Sequence, residues 1–262
     1  MNTPMAAIIK KDLGGITSNK RMFYTLLIVP IVMTVVLPTV FIFIPYFVPE
    51  EEEGFLKMVE MLPHLELDES MQKSIIRMVL NYILPVFFLI IPIMSSSVMS
   101  ASSFVGEKEK RTLETLLYSP LPLKQIFMAK VAASLWLSMS VSAISFLVMS
   151  IVLEVETLLT TGSFIVPDGK WLIVMLLVSP AVSLIAITLT VRASAKAKSV
   201  EDAQQGAVFL LLPVIFLVAG QFTGILLVDT WILVLVGGLC ALLGLWLLKK
   251  SMGSFQYETL LK

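Results

Sequence analysis

Between Gly106 and Leu117 the chain reads GEKEKRTLETLL, and its charged side chains crowd together there. Glu107 and Arg111 stand four apart, as do Lys110 and Glu114, the spacing at which an acid and a base meet on one helical face. Each such pair adds about 0.2–0.5 kcal/mol to a helix, too little to explain why a helix forms. Leu113, Leu116 and Leu117 make an apolar stripe on the opposite side, and Pro120 and Pro122 end the helix. A helix resting on lipid headgroups favours a purely basic polar face, whereas Glu107, Glu109 and Glu114 alternate with the bases here. Mixed charge beside an apolar ridge suits docking into a groove of another protein. The chemistry is recognition rather than catalysis.

Elsewhere the reactive side chains are sparse. The one histidine, His64, has no second ligand nearby, and the one cysteine, Cys240, lies in an apolar run and reads as a packing residue. The glutamates Glu50 to Glu53 read as a solvated acidic face. There is no G-x-S-x-G elbow, no H-E-x-x-H and no G-x-x-x-x-G-K-[ST] phosphate loop. These absences argue against an enzyme, against a metal site and against ATP bound by that loop. What remains is hydroxyl. Ser96 and Ser100 fall in the run MSSSVMSASS, and Ser134, Ser138 and Ser142 recur every four residues along one helical stripe. Small polar residues at that spacing let helices approach closely. They could also line a translocation path.

The elements that carry these residues are apolar. Hydrophobic residues make up 57% of the chain and charged residues 15%, well below the quarter or so of a soluble domain, and mean hydropathy is +0.93. The chain is expected to be all-α and integral to a membrane. A crossing helix needs ~20 apolar residues. Six stretches meet that without a charged residue: Met22–Val48, Met78–Val105, Val131–Leu153, Trp171–Val191, Ala203–Val228 and Thr230–Leu248. Residues 1–262 form a single transmembrane domain in this reading. Residues 1–21 make an interfacial helix, 49–77 an outside loop and 106–121 the charged helix. The glycines around Gly220 to Asp229 suit a short re-entrant piece.

With the N-terminus inside, only Lys57, Lys73, Arg77 and Lys170 of the nineteen Lys and Arg residues fall outside. That asymmetry places both termini and the charged helix in the cytoplasm. No Asp, Glu, Lys, Arg or His lies within the six stretches, which argues against an ion-coupled secondary carrier. The charged helix argues against a non-transporting anchor or sensor.

The stretch from Gly106 to Lys130 resembles the cytoplasmic coupling region of the membrane subunits of ABC exporters of the second type. The likeness rests on Gly106-Glu107-x-Glu109, the bases Lys110 and Arg111, Thr112-Leu113-Glu114, Leu116-Leu117, Pro120, and Lys130 opening the third span. Ala7, Ile8, Leu13, Lys10 and Lys11 agree with that family's N-terminal interfacial helix. The resemblance implies a permease without enzymatic activity of its own, in a prokaryotic plasma (inner) membrane. It further implies a separate ABC ATPase subunit carrying ATP and Mg, a second permease chain (identical or a paralogue), and contact with lipid but not nucleic acid. It assigns ATPase coupling to Glu107, Glu109, Lys110, Arg111, Leu113, Glu114, Leu116 and Leu117. Spans rich in hydroxyls suggest an amphipathic cargo such as a peptide antibiotic or toxin.

Overall fold

The computed structural model describes residues 3–18, 20–47, 71–109, 112, 121–164, 166–197, 199–222 and 229–254. Every element among them is helical, and six helices are long and apolar enough to cross a membrane. The all-α, six-span architecture is therefore present. An N-terminal helix, Thr3–Ser18, precedes span 1, which runs as Lys20–Ile31, Val32–Val36 and Leu37–Phe47. Span 2 runs from Met71 to Phe104 in consecutive pieces, followed by the short helix Gly106–Glu109. Spans 3 and 4 are Leu123–Thr161 and Lys170–Ser194. Span 5 comprises Val200–Val208 and Leu211–Phe222, and span 6 is Thr230–Ser254.

Spans 2 and 4 are the centre of the bundle. In their most apolar stretches, 78% of span 2 and 56% of span 4 are buried, against 22–28% for the others. Their contact surface holds Phe88, Ile91, Trp171, Val174 and Ala186. Spans 1, 3, 5 and 6 surround them and turn apolar side chains such as Ile28, Ile144, Phe216 and Leu242 outward, as lipid-facing helices do.

Proline shapes three of the spans in one way. Val32–Val36, Val79–Ile83 and Val174–Val178 are wide turns, closed by Leu37 N–H to Val32 O, Leu84 N–H to Val79 O and Ser179 N–H to Val174 O. The next residue in each case is proline: Pro38, Pro85 and Pro180. A proline ring crowds the carbonyl four residues back and supplies no N–H. The turn before it opens to five-residue spacing, which relieves the clash.

Span 3 departs from expectation. The apolar pattern confines it to Val131–Leu153, yet the helix runs from Leu123 to Thr161. At 1.5 Å per residue that is ~58 Å, against ~30 Å of hydrocarbon. Glu154 and Glu156 end an apolar crossing but do not end a helix. Beyond them Thr157, Thr160 and Thr161 donate their hydroxyls to Leu153 O, Glu156 O and Thr157 O. The helix stops where Gly162 takes φ 65°, in the left-handed region that glycine tolerates. The re-entrant piece expected around Gly220 to Asp229 rests on residues 223–228, outside the described residues; the span 5 helix runs to Phe222.

Spans 4 and 5 touch backbone to backbone at Gly206. A Cβ there would lie 2.7 Å from Ala193 Cβ and 3.1 Å from Leu189 O. Neither atom can move without its helix, so Gly206→Ala must push the spans apart. The expected cost is about 1–3 kcal/mol, read as a lower thermal unfolding midpoint of the purified chain in detergent.

Candidate functional site

The helix Thr3–Ser18 lies across the ends of spans 2 and 3 that are near it, here termed the proximal end. Ile8 is buried against Ile126 and Ala129 of span 3, and Leu13 packs beside Val98, Met99 and Ala133. Four residues after Ile8, on the same face, the sequence places Asp12, and it too is buried.

Asp12 is buried because a cation is buried beside it. Lys130 of span 3 is 2% exposed. Its Nζ lies 3.0 Å from Glu107 Oε2 and 3.9 Å from Asp12 Oδ2. The 3.0 Å contact lies off the hydrogen-bonding direction of Oε2, so its attraction is Coulombic. The directed hydrogen bonds of Nζ go to Ser103 O and, at 3.3 Å, to Ser103 Oγ. Ser103 Oγ in turn donates to Asp12 Oδ2 at 2.5 Å. Lys11, half-exposed, closes the other side of Glu107 with a 2.5 Å contact to Oε1. The ring of Phe104 stands 5.4 Å from Lys130 Nζ and adds a cation–π contribution. Two bases and two acids thus neutralise one another, which is how charges persist away from water.

Two residues further on, Glu109 reaches the other way. Its Oε1 accepts the backbone N–H of Val200, the first residue of span 5, at 2.9 Å. Ser199 Oγ accepts the N–H of Asp202 at 3.1 Å. A helix start has unpaired N–H groups and a partial positive charge, and both caps answer it. The Gly-Glu-x-Glu segment is therefore a fork. Glu107 holds the N-terminal helix and span 3, and Glu109 holds span 5. No side chain in this arrangement is an activated nucleophile; its chemistry is mechanical linkage.

Residues 6–232 match the family described as ABC-2 family transporter protein. The chain belongs to that family. No curated protein and no solved structure matches it. The matched stretch begins in the N-terminal helix and takes in the fork and spans 1 to 5. As an ABC-2 transporter with six crossing helices, it is a multi-pass membrane protein built for transport.

The residues expected to touch an ATPase fall into two groups. Lys110, Arg111, Leu113, Glu114, Leu116 and Leu117 lie outside the described residues. Glu107 and Glu109 are described, and neither offers a free carboxylate. Glu107 is 5% exposed and turned toward Lys130. The physical reason is the buried lysine, which needs that carboxylate. Glu109 is exposed as a residue, but its carboxylate is engaged at the start of span 5.

The five serines expected along a path are all fully buried within the one chain. Ser96, Ser100 and Ser134 donate to Ile93 O, Ser97 O and Lys130 O of their own helices. Ser138 joins three spans: it donates to Pro92 O at 2.9 Å, accepts from Ser95 at 3.1 Å and meets Ser183 Oγ at 3.0 Å. Ser142, one turn further along, has no hydrogen-bond partner. In this packing the stripe joins spans 2, 3 and 4, and a role along a path requires those spans to part.

Asp12, Lys130 as an ion-pair partner, Ser103 and Ser199 were not among the expected site residues. Two signals were present in the sequence: an acid in helical phase with Ile8, and the Ser-x-x-Asp spacing of Ser199 and Asp202 that marks a helix start.

Proposed function

We propose that this chain is the permease subunit of an ATP-driven exporter, and that the segment after span 2 receives the stroke of a separate ABC ATPase. ATP and Mg reside on that partner, and a second permease chain completes the pore. The one-sided distribution of Lys and Arg supports a cytoplasmic fork and cytoplasmic termini, and the family likeness supports the inner membrane of a prokaryotic cell. The observation that carries the reading is the fork. A push on Gly106–Glu109 reaches span 2 through the chain, span 3 and the N-terminal helix through Glu107, and span 5 through Glu109. Arg111 and Glu114, with the leucine ridge, supply the docking face. The cargo is amphipathic, of the class of peptide antibiotics or toxins, because the crossing stretches offer hydroxyls and apolar surface.

The test is a mild-detergent pull-down of the tagged protein from its native membranes, followed by assay of bound ATPase and of hydrolysis. An ATPase accompanies the wild type and Glu109→Ala and is lost from Arg111→Ala/Glu114→Ala. In Glu109→Ala the cap worth ~1 kcal/mol is gone, so the permease's effect on hydrolysis falls about fivefold while the ATPase stays bound. A wild-type protein that brings down no nucleotide-binding companion ends the exporter reading.

A further inference from the structure

At the far end of the bundle a partly buried carboxyl group meets a hydroxyl of another span. Glu156 lies three residues past the apolar stretch of span 3, on the extension that the pattern did not foresee. Its Oε1 is 2.5 Å from Thr39 Oγ1 of span 1. The same Thr39 Oγ1 is 2.6 Å from Val35 O. Thr39 Oγ1 is placed to donate in both contacts, yet a threonine hydroxyl has one hydrogen, and a backbone carbonyl has none to give. Two oxygens 2.5 Å apart need a hydrogen between them. A proton on the carboxyl would supply the second hydrogen.

The surroundings agree. Glu156 Oε2 is buried with no hydrogen-bond partner, and Glu156 makes no ion pair among the described residues. From Met22 to Val48, span 1 carries no charged residue, and its titratable side chains are Tyr24 and Tyr46. Val79–Phe104 of span 2 has Tyr82 alone, and Lys170–Ser194 of span 4 has Arg192 at the proximal end and Lys170 at the distal end, whose Nζ stands over the Tyr82 ring. Lys73 and Arg77 stand on Met71–Met78, which packs beside Leu37–Phe47. Glu154, two positions away, is turned by about 200° around the helix. A carboxylate with one buried oxygen unpartnered and no ion pair among the described residues is disfavoured relative to the neutral acid.

We propose that Glu156 is a proton-binding site: the packed state of spans 1 and 3 holds a proton on its carboxyl, and the proton leaves when their distal ends part. The O–H of Glu156 donates to Thr39 Oγ1, and Thr39 donates to Val35 O. On opening, the proton passes to water and leaves a solvated carboxylate. The wide turn Val32–Val36 and Pro38 lie one turn from Thr39, so span 1 has its pliable point beside the site. The inference is independent of what drives transport.

The purified full-length chain in lipid nanodiscs tests it in two ways. Infrared spectra at neutral pH are expected to show a protonated-carboxyl C=O band in the wild type and in Glu154→Gln that is absent from Glu156→Gln. Thermal unfolding, followed by tryptophan fluorescence from mildly acidic to mildly alkaline pH, reads the linkage. Unfolding of the wild type releases the proton, so its midpoint falls as pH rises. Glu156→Gln, which keeps a neutral donor, lacks that slope, a difference of up to one proton per chain. If the Gln variant does not fold, Thr39→Val carries the test: removing the acceptor shifts the band. No band that depends on position 156 or on Thr39, or equal pH slopes in wild type and Glu156→Gln, overturns the proposal.

Discussion

Lys130→Met is expected to be among the most damaging single substitutions in this protein. Methionine fills much the same volume, so packing is nearly kept. What changes is charge: Asp12 and Glu107, both buried, lose their shared cation and face each other across the vacated site. Breaking a buried pair by removing one partner typically costs about 3–5 kcal/mol, because the surviving charge stays desolvated. Lys11 tempers this on the Glu107 side only. Removing the whole set is much gentler, so Asp12→Asn/Glu107→Gln/Lys130→Met is expected to recover most of the loss. The readout is thermal unfolding of the detergent-purified protein with a thiol-reactive fluorophore, which reports on Cys240, the chain's one cysteine. A Lys130→Met midpoint close to wild type, or a triple variant no better than the single one, contradicts the account of the cluster.

Trp171→Ala is expected to cost as much, by a different route. The indole is 1% exposed. It meets Phe88 edge-on at 5.5 Å and Phe146 at 5.3 Å, joining spans 2, 3 and 4. Truncating a buried tryptophan costs about 3–5 kcal/mol. The indole also mends a defect. In the wide turn Val79–Ile83, Leu84 N–H goes to Val79 O, and Pro85 has no N–H to offer the next carbonyl. Leu80 O receives Trp171 Nε1–H instead, at 3.2 Å. Trp171→Phe keeps the ring contacts and orphans that carbonyl, for a loss of about 1–3 kcal/mol. The same unfolding assay separates the two, and a phenylalanine variant as stable as wild type removes the indole–carbonyl bond from the explanation.

The fold of this ABC-2 transporter was largely legible in its residues. Apolar stretches free of charge can satisfy their backbone in a membrane only as helices, so composition and length determined the number and rough position of the spans. The prolines that open spans 1, 2 and 4 are visible too, since proline acts on its own local backbone. The motif around Gly106 and Glu107 pointed to the right family. It did not reveal which way the carboxylates turn. Glu107 was read beside Arg111, which lies outside the described residues; among those described its partners are Lys11 and Lys130, 96 and 23 residues away. Local spacing ranks neighbours on one helix, but burial decides which charge a carboxylate cannot do without. Lys130 is buried between span 2 and the N-terminal helix, and that docking is a tertiary event. Glu156 makes the same point at the distal end. In sequence it is the residue that ends an apolar run; in the folded chain, span 3 continues past it and brings it against Thr39, 117 residues away. Periodicity and composition report what each helix prefers. Only the packing of one helix on another sets which polar groups lose their water, and so which of them must find a partner or a proton.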